Sequence, residues 1–282
     1  MTENNKLIAG VVGDPISHSL SPKLHGFWLN KYGINGEYKA FHVTADELPN
    51  FLLNLSENGI SGVNLTVPHK EQALGLVDIV DESAKKIGAV NTVYFKDGKM
   101  IGANTDGIGY LMHLKQSSNQ WKAGNGPAVI LGAGGAARAV LVSLLDDGVP
   151  EIRITNRTKS RAEALAAEIG DDRIKVIDWE DRDFALKGAA LLTNVTTLGM
   201  TGQRPLEISL ENLPTSATVY DIVYAPLETE LLKSAKERGN ETVDGLGMLL
   251  HQAVPGFEAW FGKKPIVDEA LNNHLLEALK GQ

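Results

Sequence analysis

The residues able to do chemistry in this chain fall in short, separate stretches. Gly132-Ala-Gly-Gly-Ala-Ala137 has the Gly-x-Gly-x-x-Ala spacing suited to a pyrophosphate. Gly132 allows a tight turn, Gly134 lets a phosphate approach the backbone, and Ala137 lets a helix pack closely on a strand. Further on, Asn156-Arg157-Thr158 stands where an NAD-binding chain usually carries an acid for the ribose hydroxyls. Asparagine and arginine, with Lys159 and Arg161 close behind, favour the 2′-phosphate of NADP; a basic surface turn is the competing reading. Ser17, Ser19 and Ser21 sit in a polar loop, either as ordinary loop and cap hydroxyls or as donors for a small carboxylate. Asn64 and Thr66 lie two apart and so face one side of a strand, as they would on a water-facing edge or beside a ligand. Lys70 follows at the carboxyl end of that strand, where open α/β sheets place their ligands, though a lone lysine is also an ordinary solvated group. Asp106 either caps a helix or acts as an acid.

Composition removes other chemistries. The chain has 282 residues, 43% of them apolar, enough for a sizeable core and for two domains. A net charge of -8 repels a phosphate backbone, so nucleic acid is not an expected partner. The absence of cysteine excludes disulfides, thiolate metal sites and cysteine nucleophiles. None of the seven histidines forms a His-x-x-x-His pair, so no metal is expected, and no Gly-x-Ser-x-Gly elbow points to a serine hydrolase. No signal stretch and no run of 18 apolar residues is present, which makes the expected location the cytoplasm, away from membranes.

The elements that must position these residues alternate between strand and helix. Lys6 to Gly13 reads as a buried strand ending in glycine, and Ser21-Pro22 as a helix N-cap with proline at the first position. Tyr38 to Val43 is a second strand, Thr44-x-x-Glu47 a capping box, and Gly62 to Val67 a third strand. Gly88 to Ala103, turning at Asp97-Gly98, reads as a hairpin, after which Asp106 opens a helix. The polar, glycine-rich stretch Ser117 to Gly126 reads as a junction between domains. Ala128 to Leu131 has no helical spacing and leads through the glycines into helix formers from Ala136 to Leu145, the strand–turn–helix context of a dinucleotide site. Glu151 to Thr155, Ile174 to Ile177, Ala189 to Leu192 and Thr218 to Val223 continue the alternation. Helices after Gly247 and from Asp268 to Leu279 close the chain.

The motifs also occur in a telling order. His18-Ser-Leu-Ser-Pro22, Asn64-Leu-Thr-Val-Pro-His-Lys70, Gly88-Ala-Val-Asn-Thr92 and Asn104-Thr-Asp-Gly107 come first. The Gly132 to Ala137 loop, Asn156-Arg-Thr158 and Asp244-Gly-Leu-Gly-Met248 with Gln252 follow. Together they resemble the shikimate dehydrogenase family, which reduces 3-dehydroshikimate with NADPH in the shikimate pathway of aromatic amino-acid biosynthesis. The resemblance spans essentially the whole chain. Gly26 departs from it, since the family commonly has asparagine or another amide after the histidine.

This resemblance implies an α/β fold of two domains with a cleft between them. The first, residues 1–105 completed by helices from 245–282, would have a mainly parallel sheet and bind substrate. The second, 106–244, would be a Rossmann-like NADP domain. Ser19 and Ser21 would hold the substrate carboxylate, with Tyr224 near it, while Thr66, Asn91 and Gln252 would bind ring hydroxyls beside Lys70 and Asp106. Asn64 would orient this shell. On the cofactor side, Gly132, Ala133, Gly134, Gly135 and Ala136 would hold the pyrophosphate, and Asn156, Arg157, Thr158 and Arg161 the adenosine phosphate. Ile222 and Gly245 would line the nicotinamide pocket, with Glu82 also near the cofactor. Lys70 and Asp106 would move the proton, since hydride transfer to a ketone leaves an alkoxide needing a proton and a nearby positive charge. The partners implied are the small-molecule substrate pair and, for the assembly, a monomer or homodimer. Two alternatives stand beside this reading: a quinate/shikimate dehydrogenase of broader range, and a non-catalytic shikimate- or dinucleotide-binding regulator.

Overall fold

The computed structural model describes residues 6–280. It divides into two compact units, the described part of Met1–Thr105 with Gln252–Gln282, and Asp106–His251.

In the first unit the chain runs β1 (Leu7–Gly13), α1 (Ser21–Tyr32), β2 (Gly36–His42), α2 (Leu48–Leu53), β3 (Ile60–Leu65), β4 (Ile79–Val80), α3 (Glu82–Ile87), β5 (Thr92–Lys96) and β6 (Lys99–Ala103). The sheet order is β2-β1-β3-β5-β6-β4. β1 lies parallel to β2 and β3, and β4 to β6, while β5 runs antiparallel to both neighbours. The exception is the hairpin β5–β6, whose Asp97 and Gly98 take φ of 52° and 76°, the paired left-handed geometry of a tight hairpin turn. Val12, Val63, Leu65 and Val93 bury one apolar cluster with Leu48, Leu52 and Leu55. A second cluster is aromatic, with Trp28 and Phe257 in edge contact and Phe257 tilted against Phe261.

The second unit contains α4 (Asp106–Ser117), β7 (Ala128–Leu131), α5 (Gly135–Asp146), β8 (Ile152–Thr155), α6 (Lys159–Ile169), β9 (Ile174–Ile177), α7 (Arg182–Ala185), β10 (Leu191–Asn194), β11 (Thr218–Asp221), α8 (Glu230–Glu237) and β12 (Glu241–Val243). Its six strands are all parallel in the order β12-β11-β10-β7-β8-β9. The chain thus leaves the central strand β7 in one direction and returns on its other side at β10, a Rossmann arrangement with a switch point between them. Alternate residues serve the two faces: Ala128 and Ile130 join one apolar cluster, Val129 and Leu131 the other. Such strands are buried on both sides, which explains their unbroken apolar sequence.

The last helices are α9 (Leu246–Phe261) and α10 (Glu269–Lys280). The change of unit falls inside α9 and not at Gly245, because the helix's opening turn packs Gly247 against His113 within the second unit. No helix among the described residues is long and apolar enough to cross a membrane.

Local expectations fare unevenly. Ser21 is the first residue of α1, not its cap; Leu20 takes that place and Ser19 Oγ accepts from Ser21 N. Only half of the Thr44–Glu47 box forms, with Glu47 accepting from the Thr44 N–H and hydroxyl. The Glu47 N–H, which would complete the box, donates to the Thr44 carbonyl at 3.2 Å and not to its hydroxyl. β3 is an inner strand, so Asn64 is buried and does not face water from an edge. Ser117 to Gly126 is not a junction between units. It joins α4 to β7 inside the second, held by Ser118 Oγ bonding to Thr218 and Glu241.

Candidate active site

In the first unit, polar side chains gather where β1 and β3 end. The loop after β1 is tied to the end of β3 by Asp14 N donating to Val67 O at 3.1 Å. It brings half-buried Ser19 and buried Ser21 to the start of α1. Asn64 is buried on β3; its Oδ1 accepts from Tyr38 Oη at 2.7 Å, and its Nδ2 donates to Asn91 O and Thr92 Oγ1, both at 3.1 Å. Thr92 Oγ1 donates in turn to Asn91 Oδ1 at 2.8 Å, and Asn91 Oδ1 accepts from Thr105 N at 2.9 Å. One buried network thus links Asn64, Asn91 and Thr105. Tyr38 also shares a hydrogen bond with Ser21, and burial holds its phenol well above the usual pKa. The Asn64 amide orientation is fixed by Asn91 O, a carbonyl that can only accept and so must face Nδ2, which leaves Oδ1 for the Tyr38 hydroxyl.

Thr66 follows β3 and is half-buried, with its N–H on Val12 O at 2.9 Å. The chain then turns, His69 N donating to Thr66 O, and the buried His69 ring donates through Nε2 to Val43 O at 2.8 Å. Lys70 comes next, half-buried, its carbonyl accepting from Val90 N at 2.7 Å. The backbone beneath Lys70 is therefore held from two sides. Asp106 belongs to the second unit, where it is the buried first residue of α4. Gln252, on α9, is buried in the first.

The glycine loop of the second unit lies between β7 and α5. Gly132 takes φ of +117°, and a Cβ there would stand 2.8 Å from Thr196 Cγ2, so glycine is required on both counts. Around Gly134 and Gly135, by contrast, a Cβ would meet nothing within 4 Å. Gly134 caps α5, no side chain bonds to its first turn, and no acid lies there. The N–H groups at this helix start and the helix dipole suit an anion. Asn156 binds the loop itself: Oδ1 accepts from Ala133 N at 3.2 Å, and Nδ2 donates to Thr158 O at 2.8 Å. Arg157, Thr158 and Arg161 are exposed beyond β8. Lys159 pairs with Asp178 at 2.6 Å, but no carboxylate among the described residues pairs with Arg157 or Arg161. The residues present therefore fit a dinucleotide with a phosphate at the ribose end.

Ile222 and Gly245 are also in this unit, backbone against backbone: a Cβ on Gly245 would lie 2.1 Å from Ile222 O. Tyr224 is half-buried just beyond β11, its pKa raised by burial. Glu82 is on α3 of the first unit, 91% exposed and paired with Lys85.

Sequence reasoning missed three supports: Tyr38, His69 and Asp221. Asp221 is buried at the end of β11 and accepts from Asn194 Nδ2 and Val223 N, both at 3.0 Å, and from Thr229 Oγ1 at 2.8 Å. It ties the loops after β10 and β11 together, and burial pushes its carboxyl up to about 6 despite these donors. The folded state thus holds this proton more tightly than the unfolded chain, so ionisation costs stability as pH rises through the window from about 4 to 6. The full contribution is about 3 kcal/mol at about 1.4 kcal/mol per pKa unit. Asp221→Asn keeps an acceptor for Val223 N and removes that cost. Its melting temperature relative to the parent should be higher at pH 7.5 than at pH 4; an offset independent of pH would contradict the raised pKa.

Comparison with known proteins agrees with this architecture. Residues 11–93 match the family described as shikimate dehydrogenase substrate binding domain, 114–197 shikimate / quinate 5-dehydrogenase, and 245–269 the shikimate 5′-dehydrogenase C-terminal domain. A shikimate dehydrogenase (NADP(+)) of Paramagnetospirillum magneticum is 53% identical over 270 residues, covering 95% of this chain and 98% of that protein. Among solved structures, a shikimate dehydrogenase in complex with NADP+ aligns with TM-score 0.89 and 38% identity, covering 99% of this chain and 98% of the other. The Thermus thermophilus enzyme in complex with NADP(H) and shikimate aligns with TM-score 0.83 and 37% identity, over 98% and 99% of the two chains. With the motifs, both α/β units and near-complete coverage in agreement, the chain belongs to the shikimate dehydrogenase family.

Proposed function

We propose that this protein is an NADP-dependent shikimate dehydrogenase, reversibly reducing the ketone of 3-dehydroshikimate to the alcohol of shikimate. The observation that carries the reading is near-full-length identity of 53% to an NADP(+)-dependent enzyme of that activity. The unpaired arginines beyond β8 support NADP over NAD. When bound, NADPH supplies the hydride. Ser19 and Ser21 hold the substrate carboxylate, with Tyr224 beside it; Thr66, Asn91 and Gln252 hold ring hydroxyls, and Asn64 is the buried brace behind them. Lys70 and Asp106 act as one proton-transfer pair, the ammonium offsetting charge on the ketone oxygen as the proton is delivered. Gly132 to Ala136 receive the pyrophosphate and Asn156, Arg157, Thr158 and Arg161 the ribose phosphate. Ile222 and Gly245 flank the nicotinamide, and Glu82 approaches the cofactor from the first unit. The enzyme works in the cytoplasm as a monomer or homodimer, without nucleic acid or membrane.

The test is consumption of NADPH by the purified protein with 3-dehydroshikimate, run beside NADH and beside the reverse reaction with quinate. Turnover selective for NADPH and shikimate is expected. Equal use of quinate and NADH would favour the broader enzyme, and no turnover by folded protein would leave only a binding role. Replacing Ser19 and Ser21 together by alanine should raise the shikimate KM on the order of tenfold or more, the worth of a hydrogen bond to a charged group. NADP affinity should stay as it was, and an unchanged KM would remove both serines from the site.

A further inference from the structure

One histidine of the second unit has no place in the reaction just described, yet it sits behind the wall proposed for the nicotinamide. His113 lies on α4, half-buried, and its Nδ1 is 2.9 Å from Tyr220 Oη. Tyr220 is fully buried on β11, two positions before Ile222, and its ring stacks on Tyr110 at 4.6 Å. Tyr110 Oη is bonded to Thr193 Oγ1 of β10 at 2.7 Å, so this phenol pair is locked to the sheet. The other side of the imidazole meets Gly247, two positions after Gly245. A Cβ on Gly247 would stand 2.1 Å from His113 Cδ2 and 2.2 Å from Nε2. The backbone of α9 can approach this ring only because residue 247 has no side chain. Burial, and behind it the neighbouring His251 at 6.2 Å, lowers the His113 pKa to about 4, leaving a neutral ring between two neutral partners.

We propose that His113 is a positioning residue for the nicotinamide end of the cofactor site. Its ring sets the spacing between the end of β11, which carries Ile222, and the segment Asp244 to Gly247, which carries Gly245. The two residues meet through backbone atoms with no side chain to absorb an error: Gly245 N donates to Val223 O at 3.2 Å and its Cα faces Ile222 O. A shift of either strand end therefore moves the wall as a whole. Hydride transfer is sensitive to such shifts, since a displacement of about 1 Å can cost about a hundredfold in rate. The proposal rests on the reading of Ile222 and Gly245 as the nicotinamide wall.

The test uses His113→Ala, Gly247→Ala and the double variant, each in the full chain. His113→Ala should lower kcat for shikimate oxidation at least about tenfold, while the Kd of 2′,5′-ADP, which reports only the adenosine end, stays within twofold. Gly247→Ala should be worse, as its methyl enters the ring. In the double variant the methyl occupies vacated space, and kcat should recover above that of Gly247→Ala alone. Folded His113→Ala with kcat within twofold of the parent would overturn the proposal, as would a fall in melting temperature with no change in kcat. Equal loss of 2′,5′-ADP binding would also overturn it. If the parent itself turned over no shikimate, the functional reading would fail first, and the two failures are thereby distinguished.

Discussion

Lys70→Ala is expected to lower kcat by roughly 10²–10⁴-fold, the usual worth of a positioned acid–base group, with the fold and NADP binding intact. The fold should survive because the turn under Lys70 does not depend on its side chain. His69 anchors that turn through Val43 O, and Val90 N anchors the Lys70 carbonyl. What is lost is the ammonium, and with it the charge proposed to face the ketone oxygen. Asp106→Asn should also lower kcat and, unlike the lysine change, raise the shikimate KM, since Asp106 is proposed to touch the ring. As a bare helix terminus Asp106 would tolerate asparagine with little loss, and a merely solvated Lys70 would tolerate alanine. Steady-state kinetics on protein with an unchanged circular dichroism spectrum decides between these outcomes. A kcat within a few-fold of the parent for Lys70→Ala would remove this lysine from the mechanism.

Arg157→Ala should reduce the preference for NADPH over NADH about ten- to a hundredfold, matching roughly 1.5–3 kcal/mol for a hydrogen bond to a charged group. Its neighbours are already engaged. Lys159 is held by Asp178, and the Asn156 amide spans Ala133 N and Thr158 O. Arg157 has no such internal duty, and its loss should leave NADH turnover nearly unchanged. Asn156→Ala supplies the contrast: besides losing a phosphate contact it loosens the glycine loop, so unlike Arg157→Ala it should weaken NADH as well as NADPH. Measuring kcat/KM for both cofactors in both variants separates recognition of the 2′-phosphate from support of the loop. Equal losses with NADPH and NADH in Arg157→Ala would show that the arginine does not read that phosphate.

The parts of the fold legible in the sequence were those where backbone demands coincide with residue type. β7 through α5 could be read directly because four apolar residues, a glycine with positive φ and small residues at the helix start leave few alternatives. The hairpin was equally plain, since Asp97-Gly98 suits few turns other than the one adopted. The supports behind the site were not legible, because they arise from pairings between distant strands. Nothing in Glu37-Tyr-Lys39 announces that the phenol will meet Asn64 across β1, and nothing near Asp221 foretells Asn194 and Thr229 as partners. Small errors at helix starts have a local cause. Serine and threonine can bond to a neighbouring backbone or side chain as readily as to the helix, and at Thr44 the nearby carboxylate wins.

The two units also differ in how they can be assembled on the ribosome. Asp106–His251 is one uninterrupted segment, so every strand of its sheet is made before residues 252–282. The unit that begins first finishes last. Trp28 Nε1 donates to Ile266 O and Trp260 Nε1 to Val93 O, bonds that join α1 and β5 to residues made more than 160 positions later. Until those arrive, the faces of α1 and β5 that they cover remain open to water, although neither lies near the chain's end. Domains usually mature in the order they are synthesised. Here the cofactor-binding part can fold while the substrate-binding part is still incomplete, and the final helices close the older half of the molecule.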